Sequence, residues 1–271
     1  MRKTEKITSR DNARLIHARK VRDGKASGKI FIEGRRLVEE ALDSQHLVIR
    51  ECFVADDFYD KTFLDAVATR VHDVVEISEQ LFRSIADTVT PQGIILIADR
   101  PVSSLLAIES ALKNAELPIV IYLIEINNPS NLGAIMRTSE AAGIPGVIVS
   151  KNGADVYSSK SVRASMGAAF RVPTFVNADF EEIVRWAKRE KLTITASEAS
   201  ASESYAEIDW KIPRLLIFGS EAHGLGEGHI TAIEQSVHIP MDNGVESLNL
   251  AVSAGIILFE AKRQVLRKPA I

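Results

Sequence analysis

Short apolar runs of strand length alternate with amphipathic runs of helix length from residue 29 onward. That alternation confines the chain to layered α/β folds. KIFIEG (29–34), LVIRECFVA (47–55), DVVEIS (73–78) and GIILIADRP (93–101) read as strands. RRLVEEAL (35–42), KTFLDAVAT (61–69) and EQLFRSIAD (79–87) lie between them and read as helices, the first with Leu37, Val38, Ala41 and Leu42 on one face. A basic helix over 9–21 precedes this series, and 102–117 reads as a helical linker. A second series follows, with strands expected near 119–125, 146–150, 170–176, 192–196, 214–218 and 236–239. Helices are expected near 131–143, 159–166, 179–190, 226–234 and 248–266. The expected organisation is a small domain over 1–100, a linker over 101–117 and a larger domain over 118–271.

Composition removes several function classes. Cys52 is the single cysteine, so neither an intramolecular disulfide nor a multi-cysteine metal site is possible, and no metal is expected. The first twenty residues are charged throughout, without the apolar core of a secretory signal. The longest apolar runs, such as 118–126, fall short of the roughly 20 residues that cross a bilayer. The expected location is the cytoplasm, with no membrane partner. Charge is uneven: residues 1–29 carry ten Lys or Arg against Glu5, Asp11 and Asp23, while the whole chain is −3. A basic segment on an acidic body is the footprint of nucleic-acid contact, and equally that of a solvated terminal helix.

Three segments carry candidate chemistry. NNPSNLGAIMRTSEAAG (127–143) follows an apolar strand. Ser130 is a candidate N-cap, Leu132, Ile135, Met136 and Ala142 form an inward stripe, and Arg137 lies off it. At about 100° per residue, Asn131 and Arg137 sit about 120° apart, so Asn131 belongs to the helix mouth and Arg137 must reach its target with a long side chain. Arg137 read alone is more often a surface ion-pair partner. LLIFGSEAHGLG (215–226) ends a strand in a glycine-rich turn holding Glu221, where Gly219 and Gly224 leave room for a ligand to approach backbone. Its glycine spacing is not a dinucleotide fingerprint. His223 has neither nucleophile nor carboxylate partner and reads as a turn residue. In HIPMDNGVESLNL (238–250), Ser247 and Asn249 point to one side of an extended stretch, or else cap the helix that follows.

Taken together and in order, these segments resemble the three signature motifs of the SpoU branch of the SPOUT methyltransferases, the TrmH family. Asn131 and Arg137 match the first, Gly219, Glu221, Gly224 and Leu225 the second, and Pro240, Met241, Glu246, Ser247, Leu248 and Asn249 the third. The aspartate usual before the first motif's proline is Asn128 here. FIEGRRLVEEAL (31–42) and PQGIILIA (91–98) are similar to the substrate-binding domain that precedes the catalytic domain in rRNA-modifying members.

The resemblance implies an N-terminal ribosomal-protein-like α/β domain and a C-terminal trefoil-knotted α/β domain. It implies transfer of the methyl group of S-adenosyl-L-methionine to a ribose 2′-hydroxyl in rRNA, with large-subunit rRNA expected. The alternatives are a tRNA substrate or a non-catalytic RNA-binding or ribosome-assembly protein. Asn131, Arg137, Glu221, Ser247 and Asn249 are the implied catalytic set, and Ala196, Gly219, Ile239, Met241 and Leu248 the implied cofactor set. Arg10, Arg14, Arg19, Lys20, Arg35 and Arg36 are the expected RNA contacts, and a homodimer is the expected assembly.

Overall fold

The computed structural model describes residues 7–71, 73–220 and 224–266. The chain divides into two compact units, one comprising Met1–Pro101 with Val156–Arg171, the other Val102–Asp155 with Val172–Ile271.

In the first unit the elements run α1 (Ala13–Arg22), β1 (Lys29–Glu33), α2 (Arg35–Asp43), β2 (Ile49–Ala55), α3 (Lys61–Arg70), β3 (Val74–Ile77), α4 (Glu79–Ile85) and β4 (Ile94–Asp99). The sheet order is β1-β4-β2-β3, antiparallel at both of β4's edges and parallel between β2 and β3. Period-two alternation puts Phe31, Phe53, Ile95 and Ile97 on one face, where Leu15, Ala18 and Val21 of α1 and Phe82 and Ile85 of α4 cover them. Within the basic segment, α1 is therefore a core helix whose buried stripe holds it down. Its N-cap Asn12 accepts the Arg14 N–H at 2.9 Å, and the Arg22 guanidinium donates to the Ser84 and Ala86 carbonyls at the end of α4. The segment Val156–Arg171 also belongs to this unit. Its helix, Ser159–Ser165, packs on β1, and Ser44 donates to the Phe170 carbonyl at 3.2 Å.

Numbering both units in chain order, the second unit opens with α5 (Leu105–Leu112), β5 (Ile119–Leu123), α6 (Pro129–Ala142) and β6 (Gly146–Ser150); Ser159–Ser165 is α7. It continues with β7 (Thr174–Ala178), α8 (Phe180–Arg189), β8 (Thr193–Ser197), β9 (Glu203–Ser204), β10 (Arg214–Phe218), α9 (Glu227–Ile230), β11 (Gln235–His238) and α10 (Leu250–Leu266). The sheet order is β7-β6-β5-β10-β8-β11-β9 and every pairing is parallel. A parallel sheet covered on both faces needs strands that are apolar throughout; β5, β6 and β10 are buried along their whole lengths. Tyr122, Ile148, Trp186, Ile194 and Ile217 fill one face, and Trp186 donates its indole N–H to Glu109 of α5 at 2.9 Å.

Four local expectations need correction. A 3₁₀ turn (Ala168–Phe170) precedes β7, so the strand expected over 170–176 starts later, at Thr174. The helix expected over 226–234 is a single turn, α9, and β9 is an addition. The helical stretch expected as a linker is α5, which packs on β5, β6 and β7 with Ile108 in the core. Finally, the room at Gly219 is taken by the chain itself. A Cβ there would lie 2.4 Å from the Gly224 carbonyl, because Ser220 and Gly224 exchange N–H···O bonds of 3.0 and 2.9 Å and fold the turn onto its own root.

Gly219→Ala should therefore lower stability by about 1–3 kcal/mol through forced backbone displacement. Gly228→Ala, in open space within α9, should be near neutral. Urea unfolding midpoints of the two variants check this ordering.

Candidate active site

Each of the three motifs follows the carboxyl end of a parallel strand in one sheet. From β5 the chain moves outward through β6 and β7, then crosses to the other side for β8, and β10 fills the gap between β5 and β8. Such a reversal leaves a crevice at the strand ends where ligands bind. The first motif leaves β5, the second leaves β10, and the third leaves β11 on the far side of β8.

At the end of β5 the chain turns through Glu125, a non-glycine residue at φ +52° whose N–H donates to Ser150 Oγ of β6 at 2.8 Å. Helix α6 then starts one step before the expected cap. Asn128 is the N-cap, accepting the Ser130 N–H at 2.9 Å, and Pro129 occupies the first helical position. The asparagine ahead of a proline was the available signal for this. Leu132, Ile135, Met136 and Ala142 are buried as expected, joined by Ser139, and Gly143 ends the helix in the left-handed region. Asn131 is half-buried in the first turn. Arg137 is exposed, about 9 Å further along the axis. Among the described residues it makes no ion pair or hydrogen bond, so its guanidinium retains all its donors.

The third motif reaches the first directly. Asn249 stands just ahead of α10, where its Oδ1 accepts the Ala251 N–H at 3.0 Å and its Nδ2 donates to Asn131 Oδ1 at 3.1 Å. Asn249 therefore caps the helix with one end of its amide and joins the third motif to the first with the other. Helices α6 and α10 pack along their length, and Lys262 donates to the Ala141 carbonyl at 2.6 Å. Ser247 is exposed on the approach to Asn249. Glu221 and His223 lie outside the described residues.

Of the residues expected to hold the cofactor, Ala196 and Gly219 lie at the carboxyl ends of β8 and β10, and Ile239 directly follows β11. Ala196 of β8 is fully buried, level with Ile217 of β10 and Ser236 of β11. Gly219 is the buried residue that follows β10, and Ile239 and Met241 are half-buried beyond β11. Leu248 is exposed beside Asn249. Strand-end backbone supplies hydrogen-bonding edges, and Ile239, Met241 and Leu248 on the stretch after β11 supply apolar side chains. That lining fits the adenosyl and methionyl parts of S-adenosylmethionine, and among the described residues no cluster could hold a metal ion.

The expected RNA contacts fall in two groups. Arg14 is paired with Glu51 at 2.9 Å and Asp73 at 3.2 Å, and Arg19 donates to the Arg10 carbonyl at 2.7 Å. Arg36 pairs with Glu40 at 2.6 Å. Arg35 pairs with Asp60 at 2.6 Å and stacks over the Phe63 ring at 4.7 Å. The Phe63 N–H and then the Arg35 guanidinium hold the Asp60 carboxyl below the usual carboxylate range. Arg10 and Lys20 are exposed and carry no ion pair among the described residues.

The model of the SpoU rRNA methylase family matches residues 118–259, and that of the MRM3-like substrate binding domain matches 11–96. An uncharacterized tRNA/rRNA methyltransferase of Synechocystis is 31% identical over 95% of this chain and 93% of its own. A 23S rRNA guanosine 2′-O-methyltransferase of Bacillus subtilis is 28% identical over 91% of this chain and 93% of its own. The crystal structure of an AdoMet-bound rRNA methyltransferase from Sinorhizobium meliloti superposes with a TM-score of 0.82 at 28% identity, covering 97% of this chain and 99% of that one. With its motifs at three strand ends and the family match spanning the larger part of its length, the chain belongs to the SpoU rRNA methylase family.

Proposed function

We propose that this chain transfers the methyl group of S-adenosylmethionine to a ribose 2′-hydroxyl of rRNA, with large-subunit rRNA the preferred substrate. The Asn249–Asn131 hydrogen bond carries the reading, because it ties the residue that opens α10 to the helix that bears Arg137. When bound, S-adenosylmethionine supplies an electrophilic methyl. The protein's part is to hold the ribose oxygen in line with it, and orientation of this kind lowers a bimolecular barrier by several kcal/mol. A guanidinium with a pKa above about 12 stays protonated, so Arg137 is a poor base. It grips the neighbouring phosphate and stabilises the oxygen as charge develops on it. Asn131 and Asn249 position one another, and Glu221 and Ser247 complete the polar set.

The unit of Met1–Pro101 with Val156–Arg171 serves as the RNA-binding domain, in place of the expected 1–100, and the unit of Val102–Asp155 with Val172–Ile271 as the methyltransferase domain, in place of the expected 118–271. The similarity to relatives named for rRNA favours rRNA over tRNA, and the full set of motif residues favours an enzyme over a non-catalytic binder. The assembly is a homodimer through α10, whose outward face presents Val252, Phe259 and Leu266, each 50% or more exposed and spaced by seven residues. An apolar stripe of that kind calls for a partner. No described helix is long and apolar enough to cross a membrane, and the cytoplasm is the proposed location.

Arg137→Ala should abolish methyl incorporation into rRNA while cofactor affinity stays within severalfold; near-normal turnover would remove Arg137 from the site. Val252→Glu combined with Phe259→Glu should convert a dimer to monomers in sedimentation velocity, and a monomeric parent protein would refute the assembly. Because α1 is a core helix, its charge is best tested without deleting it. Arg10→Glu with Lys20→Glu should reduce the slope of log affinity against log salt by about 1.5, as two phosphate contacts are lost. An unchanged slope would mean that these two cations are merely solvated.

A further inference from the structure

The sequence holds two Asn-Gly steps, Asn152–Gly153 and Asn243–Gly244. Asparagine is chemically labile because the backbone nitrogen of the next residue can attack its side-chain carbonyl. Glycine in that next place has no side chain to obstruct the approach. How fast the attack proceeds then depends on how freely the backbone turns about the step.

The two steps differ in that freedom. Asn152 sits in the turn after β6, and the half-buried Gly153 is packed: a Cβ there would lie 3.1 Å from Val149 and 3.4 Å from the Ser150 carbonyl. The Ala154 N–H donates to the Ile126 carbonyl at 2.7 Å, so the chain is held directly after the step. Asn243 has no such brace. Residues 242–248 are all exposed, and Gly244 faces open space. Among the described residues, 240–248 make one backbone hydrogen bond, from the Val245 N–H to the Asp242 carbonyl at 3.3 Å, and none through a side chain. Asn243 and Gly244 hold φ of +58° and +71° in that turn. Opening its single bond lets ψ of Asn243 rotate until the Gly244 nitrogen faces Cγ. Met241 and Leu248, both expected to hold the cofactor, lie on either side of the step.

We propose that Asn243 is a site of spontaneous deamidation, guarded when the cofactor is bound and open when it is absent. The Gly244 nitrogen, having given its proton to hydroxide, forms a bond to Cγ of Asn243. The Cγ–Nδ2 bond breaks, and ammonia leaves after taking up a proton from water. Water then opens the cyclic imide. Hydrolysis at Cγ gives aspartate, and hydrolysis at the main-chain carbonyl gives isoaspartate, with the chain running through Cγ. Nothing is oxidised or reduced. Either product adds a negative charge between Asp242 and Glu246, on the approach to Ser247. Isoaspartate also inserts one carbon into the main chain between Met241 and Leu248. The first change repels phosphate, and the second alters the spacing of the cofactor stretch. The guarding and the loss of activity rest on the methyltransferase reading; the deamidation itself does not.

The test ages the full-length chain at mildly alkaline pH, with and without S-adenosylhomocysteine, the demethylated cofactor. Peptide mass spectrometry reads conversion at both asparagines. Asn243 should convert at least about tenfold faster than Asn152, the factor that one net hydrogen bond represents. S-adenosylhomocysteine at about ten times its dissociation constant, measured by calorimetry, should slow conversion of Asn243 about tenfold. Methyl transfer to rRNA by the chain aged alone should fall in proportion to the Asn243 converted. Asn243→Gly, which suits the left-handed backbone and carries no amide, should keep its starting activity through the same treatment. Equal rates at the two asparagines overturn the site. Ligand binding without protection, or full activity after conversion, overturns its coupling to the cofactor. A fresh chain that neither binds S-adenosylhomocysteine nor methylates rRNA refutes the methyltransferase reading, while the two conversion rates still decide the site.

Discussion

The site depends on β10 lying between β5 and β8. Its five residues are all buried, and its register levels Phe218 with Leu123 on one side and Ser197 on the other. Only this insertion brings the second motif beside the first, since 95 residues of sequence separate Leu123 from Phe218. The fully apolar strand is what the position demands, because a central parallel strand meets helices on both faces. The turn leaving it is equally constrained. Its glycine is needed by the protein's own backbone before any ligand arrives.

Most of the architecture was legible because its signals are local. Strand runs such as IVIYL and RLLIF, the α6 stripe and the glycine after Ala142 each state their conformation within a few residues. What escaped was set from elsewhere. A 3₁₀ turn at Ala168–Phe170 stands where a strand start was expected, and the Gly167 before it, at φ +89°, has no room for a Cβ beside Glu40 of α2, a contact no window of sequence contains. The two-residue β9 exists only because β11 offers an edge. At the site, residue identities came from the motif resemblance. The Asn131–Asn249 bond that joins two motifs required the helices to be placed.

Charge was the least transparent quantity. Ten cations in the first 29 residues suggest a diffuse attractive field, yet several of them are structural. Arg14, Arg19 and Arg22 fasten α1 to β2 and α4, and Lys29 pairs with Asp99 at 2.5 Å. Their hydrocarbon stems and fixed hydrogen bonds serve the fold first, and a formal count overstates what remains for a phosphate. Arg137 is the opposite case: an exposed arginine that makes no ion pair or hydrogen bond among the described residues, on the helix that also carries Asn131.

The membership of Val156–Arg171 in the first unit bears on how the chain matures as it leaves the ribosome. The first unit's sheet is complete once β4 has emerged, but the surface that α7 covers stays bare until another sixty or so residues have been made. The second unit waits in the same way, since β5 and β8 flank an unfilled lane until β10 arrives. Neither unit closes in the order in which it is synthesised. A nascent chain carries two apolar gaps in succession, the first open until α7 is made and the second from β8 until β10.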